Sequence, residues 1–165
     1  MLEIRHVLVP LDFHEHAKAL ADLALFIAQK LGAEKVTFIH VMHPLPDYSD
    51  YSPDTLKQVE ANFLAHAEHK MTAFLETVSG RAHHVNGVVV CGDTADAILA
   101  YGRDQGADLI VIATHGSQGI EKVLLGSVAD RVIKGASCPT LVFNPFNKAR
   151  GYDVCKPLSS CIQSV

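Results

Sequence analysis

No apolar run in this 165-residue chain approaches the roughly 20 residues a helix needs to cross a bilayer. A basic stripe with interleaved aromatics is also missing. Lys and Arg total 14 against 18 Asp and Glu, a net charge of −4, which argues against nucleic-acid binding. Cysteine is sparse at four residues, and no Cys-x-x-Cys occurs, so a zinc knuckle or dithiol redox site has no support. Cys91 and Cys138 stand in apolar runs and read as buried thiols. Cys155 and Cys161 lie in a Ser/Pro-containing tail, where nothing calls for a bridge. Neither Gly-x4-Gly-Lys-(Ser/Thr) nor Gly-x-Ser-x-Gly is present, so the usual phosphate-loop lysine and nucleophile turn are absent. No residue is compelled to act as a base or nucleophile. Met1 to His6 carries no signal-peptide-like apolar stretch, and a cytoplasmic protein is expected.

What is present is an ordinary globular balance, 48% hydrophobic and 19% charged, on a length that suits one domain. Strand-like runs alternate with helical spacing. His6–Leu11, Lys35–Val41, Val85–Cys91, Asp108–Ala113 and Cys138–Phe143 read as five strands, with Gly87 a weak point in the third. Ala17, Leu20, Ala21, Ala24, Ile27, Ala28 and Leu31 form one helical face, stopped by Gly32. His43–Pro53 reads as a proline-broken loop. Leu56, Val59, Phe63, Ala67, Met71, Phe74 and Val78 mark a long helix beyond it. Gly92-Asp93-Thr94 caps a third helix, and Val128–Ile133 has the spacing of a fourth. This alternation predicts an α/β fold with a single five-stranded parallel sheet, doubly wound, over residues 1–146. The strands are near-continuous apolar runs, as both-face coverage requires. Residues 147–165 lack periodicity and are expected to form a mobile tail.

The richest stretch is Ala113-Thr114-His115-Gly116, with Gly126-Ser127 after nine more residues. A strand runs into a glycine-bearing loop, and the loop feeds a helix. Backbone N–H groups and the positive end of the helix dipole are then open to an anion, and a phosphate chain is the natural ligand. Glycine there permits close approach and positive φ. Ser127 is also a candidate helix cap. His115, inside the loop, is placed either to bond a phosphate or to cover the strand end; Lys122 reads as a solvated residue. Ligands of parallel sheets sit beyond the carboxyl ends of the strands, where strand order reverses. If the first and fourth strands are neighbours, Asp12 faces the loop across a crevice. A carboxylate repels phosphate, so Asp12 suits a neutral donor such as the exocyclic amine of adenine; it is equally suited to cap a helix. Ten histidines include the near pairs His14/His16, His66/His69 and His83/His84, but none has a metal-site pattern, and no structural zinc is expected.

At these residues the chain resembles the universal stress protein family, on its nucleotide-binding branch. That branch carries Gly-x2-Gly-x9-Gly-(Ser/Thr) after the fourth strand; here it reads Ala113-x2-Gly116-x9-Gly126-Ser127. Val-Leu-Val-Pro10-Leu-Asp12, His40-Val41 and the run from Val128 through Cys138-Pro-Thr-Leu-Val are similar to the family's first strand and acidic turn, second strand end, and last helix and strand. The resemblance spans roughly Glu3 to Asn144. It implies strand order 3-2-1-4-5. It implies that Pro10, Asp12 and Val41 meet adenine, and that Ala113, Gly116, Gly126, Ser127 and the Val128 N–H hold ribose and phosphates. The ligand would be ATP, ADP or AMP, with or without Mg²⁺. Two departures stand out: Ala113 replaces the motif's first glycine, and His14 replaces the small hydroxyl after the acidic turn. The resemblance further implies a stress-response sensor or regulatory module. A homodimer is expected to pair the edge strand Cys138–Phe143 with its twin around Thr140 and Val142, since an exposed apolar edge needs cover. A slow ATPase or nucleotide phosphohydrolase, and an interaction protein with an empty vestigial site, are the alternatives.

Overall fold

The computed structural model describes residues 3–45, 52–78, 84–114 and 125–145. The chain runs β1 (His6–Pro10), α1 (Ala17–Leu31), β2 (Lys35–Met42), α2 (Pro53–Val78), β3 (His84–Cys91), α3 (Thr94–Asp104), β4 (Leu109–Ala113), α4 (Ser127–Gly135) and β5 (Thr140–Phe143). All neighbouring strands are parallel, in the order β3-β2-β1-β4-β5. The fold is therefore the doubly wound α/β sheet, with the expected strand order. β1 lies at the centre, registered with β2 from His6↔Lys35 to Pro10↔Ile39 and with β4 at Val7↔Leu109 and Leu8↔Ile110.

Strand pleating divides the core in two. Val7, Val9, Val36, Phe38, Leu109 and Val111 pack with Leu20, Ala21, Ala24, Leu25 and Ala28 of α1 and with Met71 and Val78 of α2. Leu8, Ile39, Val41, Ile110 and Ile112 face the other way, toward Ala95 and Ile98 of α3 and Ala129 and Val132 of α4. Alanines dominate the buried stripe of α1, and small side chains let a helix lie close on a sheet. Gly32, at φ 71°, ends that helix in the left-handed conformation that favours glycine. Burying a large aliphatic side chain is worth roughly 1.5–3 kcal/mol, so these two layers are the main source of stability.

Several details depart from the sequence reading. Pro53 opens α2 instead of closing the preceding loop. Ser52 caps that helix: its Oγ accepts from the Thr55 N–H at 3.2 Å and its carbonyl from the Leu56 N–H at 3.1 Å. Proline at the first helical position loses only a donor that had no helical partner. Phe63 does not join the buried face of α2 but is 54% exposed, and Leu31 of α1 is 50% exposed. The 26 residues of α2 span about 39 Å, against about 26 Å for the eight of β3, so its first turns outrun the sheet. Cys91 ends the edge strand β3 and is exposed rather than buried; Cys138 is half-buried, and burial pushes its thiol pKa up. β5 starts at Thr140, two residues later than expected, because Pro139 has no N–H to give a ladder. Its carbonyl still accepts from the Ile110 N–H at 3.0 Å. The tail at 147–165 lies outside the described residues.

Gly87 proves to be a close-approach position rather than a weak point. A Cβ there would overlap Cγ and Sδ of the buried Met71. Gly87→Ala is therefore expected to cost about 1–3 kcal/mol by overpacking, measured by urea denaturation; an unchanged midpoint would show that Met71 moves aside freely.

At the start of the strands His6 is buried and joined to its neighbours by side-chain contacts. Its Nδ1 lies 3.2 Å from the Gln105 carbonyl, and its Nε2 lies 2.8 Å from Thr37 Oγ1. Thr37 Oγ1 in turn is 2.9 Å from the Asn86 side-chain amide. Burial, the largest influence, holds the His6 pKa below its ordinary value. The folded state thus prefers the neutral ring, and the unfolded chain binds the proton more readily. The stability this provides is complete above the unfolded pKa of about 6.5 and is lost as pH falls through the lower folded value. Wild type should lose stability on acidification from pH 7.5 to 5. His6→Gln should flatten that slope in chemical denaturation, and an equal slope would exclude His6 as its source.

Candidate functional site

The site is built where the chain reverses direction across the sheet. β1 and β4 are adjacent, so the segments that leave their carboxyl ends open beside one another. Leu11 extends β1 by one hydrogen bond, its N–H donating to the Ile39 carbonyl at 2.8 Å. Asp12 follows, exposed, with Oδ1 accepting from the His14 N–H at 3.2 Å. Phe13, between them, has φ 58° and is the only non-glycine residue with positive φ among the described residues. The left-handed region costs a side-chain-bearing residue roughly 1–2 kcal/mol, so packing must hold it there. The Phe13 ring rests against His40, centroids 4.5 Å apart, and meets Phe74 of α2 at 6.3 Å. His40 Nδ1 lies 2.8 Å from the Leu11 carbonyl.

Across the crevice, β4 ends at Ala113. Its φ is not positive, and its methyl packs with the α1 and α2 layer, away from α4. Thr114 is buried; its N–H donates to the Phe143 carbonyl, and its own carbonyl accepts from the Gly126 N–H, both at 2.7 Å. The chain thus departs at Thr114 and returns at Gly126 through one shared backbone contact. Gly126, not Ser127, is the N-cap of α4, at φ −71° and ψ 154°. Any residue adopts that conformation, so the expectation of positive φ does not hold at Gly126. What glycine contributes is the lack of a side chain. The first bond within the helix runs from the Asp130 N–H to the Gly126 carbonyl at 2.9 Å. Helix geometry leaves the N–H groups of Ser127, Val128 and Ala129 without helical acceptors, and Gly126 has no side chain to cap them. An anion is the natural partner for such an end.

Pro10 and Val41 end their strands on the face that α3 and α4 cover, with Val41 in that core layer. The structure therefore brings Asp12, Pro10, Val41, Gly126, Ser127 and Val128 to the carboxyl end of the sheet. His115, Gly116 and Lys122 lie outside the described residues. No group of three or more His, Cys, Asp and Glu is arranged to hold a metal among the described residues.

Sequence reasoning did not single out Arg131. This residue of α4 clasps the start of α3: Nη1 reaches the two Asp93 oxygens at 2.9 and 3.0 Å, and Nη2 reaches Asp96 Oδ1 at 2.7 Å. Asp93 also caps α3 by accepting from the Asp96 N–H at 3.0 Å. The Arg131 guanidinium holds the Asp93 carboxyl below its usual pKa, and Asp93 in turn raises that of Arg131. The Gly-Asp-Thr cap was readable; its distant arginine partner had no local signal.

A doubly wound parallel sheet with a helix start beside its reversal point is the Rossmann-like class of α/β fold. Within that class, the model of the universal stress protein family matches residues 3–144, and this chain belongs to that family. A Thermus aquaticus protein, "Universal stress protein in QAH/OAS sulfhydrylase 3'region", is 32% identical over 82% of this chain and 96% of its own length. Among solved structures, universal stress protein UspA from Lactobacillus plantarum superposes with a TM-score of 0.73 at 25% identity, over 86% of this chain and 98% of that one. Two others share the fold at lower identity. A universal stress protein in complex with cAMP has a TM-score of 0.57 at 22% identity over 86% of this chain and 96% of its own. One from Archaeoglobus fulgidus in complex with dAMP has 0.57 at 18%, over 86% and 98%. No helix among the described residues is long and apolar enough to cross a membrane.

Proposed function

We propose that this protein binds an adenine nucleotide between the Asp12 turn and the start of α4. It would act as a cytoplasmic sensor or regulatory module of the stress response. The observation that carries this reading is the N-terminus of α4, whose N-cap Gly126 has no side chain to cap it and which is fixed to the end of β4 by the Thr114–Gly126 bond. Phosphates of ATP, ADP or AMP, with or without Mg²⁺, would take the N–H groups of Ser127 and Val128. His115 and Gly116 would add contacts from the loop. Adenine would lie by Pro10 and Val41 with its amine donating to Asp12. Family members of the same fold that carry cAMP and dAMP support adenine as the base. Ala113 is no obstacle from the α4 side, since its methyl packs with the opposite layer.

Calorimetry with ATP tests this. Wild type should bind at micromolar to millimolar concentration. Gly126→Val should block binding, because a branched side chain would stand at the helix start that phosphates must approach. Asp12→Ala should lower affinity about tenfold to hundredfold, since a hydrogen bond to a charged group is worth roughly 1.5–3 kcal/mol. Ala113→Gly should bind equally well or better. If wild type is silent and Ala113→Gly binds, the natural site is vestigial; silence from both would refute the nucleotide reading.

The assembly we propose is a homodimer through β5. Pro139 and Phe143 turn their carbonyls to β4, so strand alternation turns the N–H and C=O of Thr140 and Val142 outward at the sheet edge. Val142 is 38% exposed there, and Ile133 of α4 is 41% exposed. Val142→Pro removes an outward donor and none of the bonds to β4. It should convert a dimer to a folded monomer by light scattering, whereas a wild-type monomer at micromolar concentration would exclude this interface.

A further inference from the structure

We infer that His40 is the positioning residue for the base end of the site. Its grip on the Leu11–Phe13 turn keeps the Asp12 carboxylate aimed at the bound base. The inference rests on the adenine-nucleotide reading above. A carbonyl oxygen only accepts, so the 2.8 Å contact between His40 Nδ1 and Leu11 requires the proton on Nδ1. The same ring supports Phe13 at 4.5 Å, and Phe13 is the residue held at φ 58°. Phe74 closes on the other side of Phe13, at 6.3 Å, and itself packs edge-on against the buried Phe38 at 5.3 Å. Asp12 is thus flanked by two residues that His40 touches: Leu11 through its carbonyl and Phe13 through its ring. The carboxylate itself is exposed, with Oδ1 on the His14 N–H at 3.2 Å. An exposed carboxylate has no packing of its own to aim it. Its direction comes from the backbone turn, and the turn is set from below by β2.

The test compares ATP with GTP by calorimetry on the full chain. GTP offers a carbonyl where adenine offers the amine, so it reports the phosphate half without the Asp12 contact. His40→Leu should lower ATP affinity about tenfold and leave GTP within about twofold. His40→Asn, which restores an N–H donor near the Nδ1 position, should recover ATP to within about threefold of wild type. In an Asp12→Ala background His40→Leu should have no further effect, because the group it positions is gone. A purely structural role would instead lower the thermal midpoint and weaken both nucleotides alike. Undiminished ATP affinity in folded His40→Leu, parallel losses for both nucleotides, or additive losses in the double variant would each overturn the inference. Nitrogen NMR of the wild-type ring does not depend on any variant folding. A proton on Nδ1 is expected, and an Nε2–H tautomer with bare Nδ1 would overturn the inference. If wild type binds neither nucleotide, the reading of the site itself falls, and this inference with it; if wild type binds and His40→Leu matches it, only the positioning role fails.

Discussion

The adjacency of β1 and β4 is the constraint from which the rest follows. The chain first winds outward from β1 to β3, laying α1 and α2 on one face. It then returns to the far side of β1 and winds outward again, laying α3 and α4 on the other. Beyond the carboxyl ends of β1 and β4 the chain leaves toward opposite faces, to α1 from the one and to α4 from the other, which opens a crevice there. Two loop starts are forced to share that opening: one is acidic and carried by β1, and the other leads to a helix start rich in N–H donors. Opposite chemical characters are thereby presented by two adjacent strands at the centre of the sheet.

The groups that would bind a ligand are mostly backbone. A carboxylate can be replaced or reoriented within one residue, whereas N–H groups at a helix start go wherever the helix goes. The position of α4 is therefore part of the site. It is set by Ala129 and Val132 in the core, by the Thr114–Gly126 bond, and by the Arg131 clasp to Asp93 and Asp96. The clasp is exposed, so its worth is modest and falls with salt. Its geometry ties α4 to the start of α3.

Much of this was readable from sequence where a pattern is local. Ala17–Leu31 has helical periodicity stopped by a glycine, and the structure ends α1 at that glycine. The apolar runs place all five strands to within a residue or two, because burial on both faces leaves no alternation to misread. Phe63 misled because periodicity identifies a face and not whether anything lies opposite it; the sheet ends before the helix does. Glycine in the sequence permits both close approach and positive φ, and at Gly126 the φ is ordinary, so only the lack of a side chain distinguishes it. His6, His40 and Arg131 were not singled out. Each acts through partners far away in sequence: Thr37 and Gln105, Leu11 and Phe13, Asp93 and Asp96. Such pairings exist only once the strands are in order.

The Thr114–Gly126 bond also bears on how such a protein can diversify. Both ends of the intervening segment are anchored at one point, so lengthening it moves neither the strand that precedes it nor the helix that follows. Loop-closure entropy grows only logarithmically, at about 0.6 kcal/mol for each doubling of length. Residues strung between those anchors can be added, removed or exchanged at small cost to the fold. What the bond fixes is the pair of end points, Thr114 and Gly126, and not the number of residues between them.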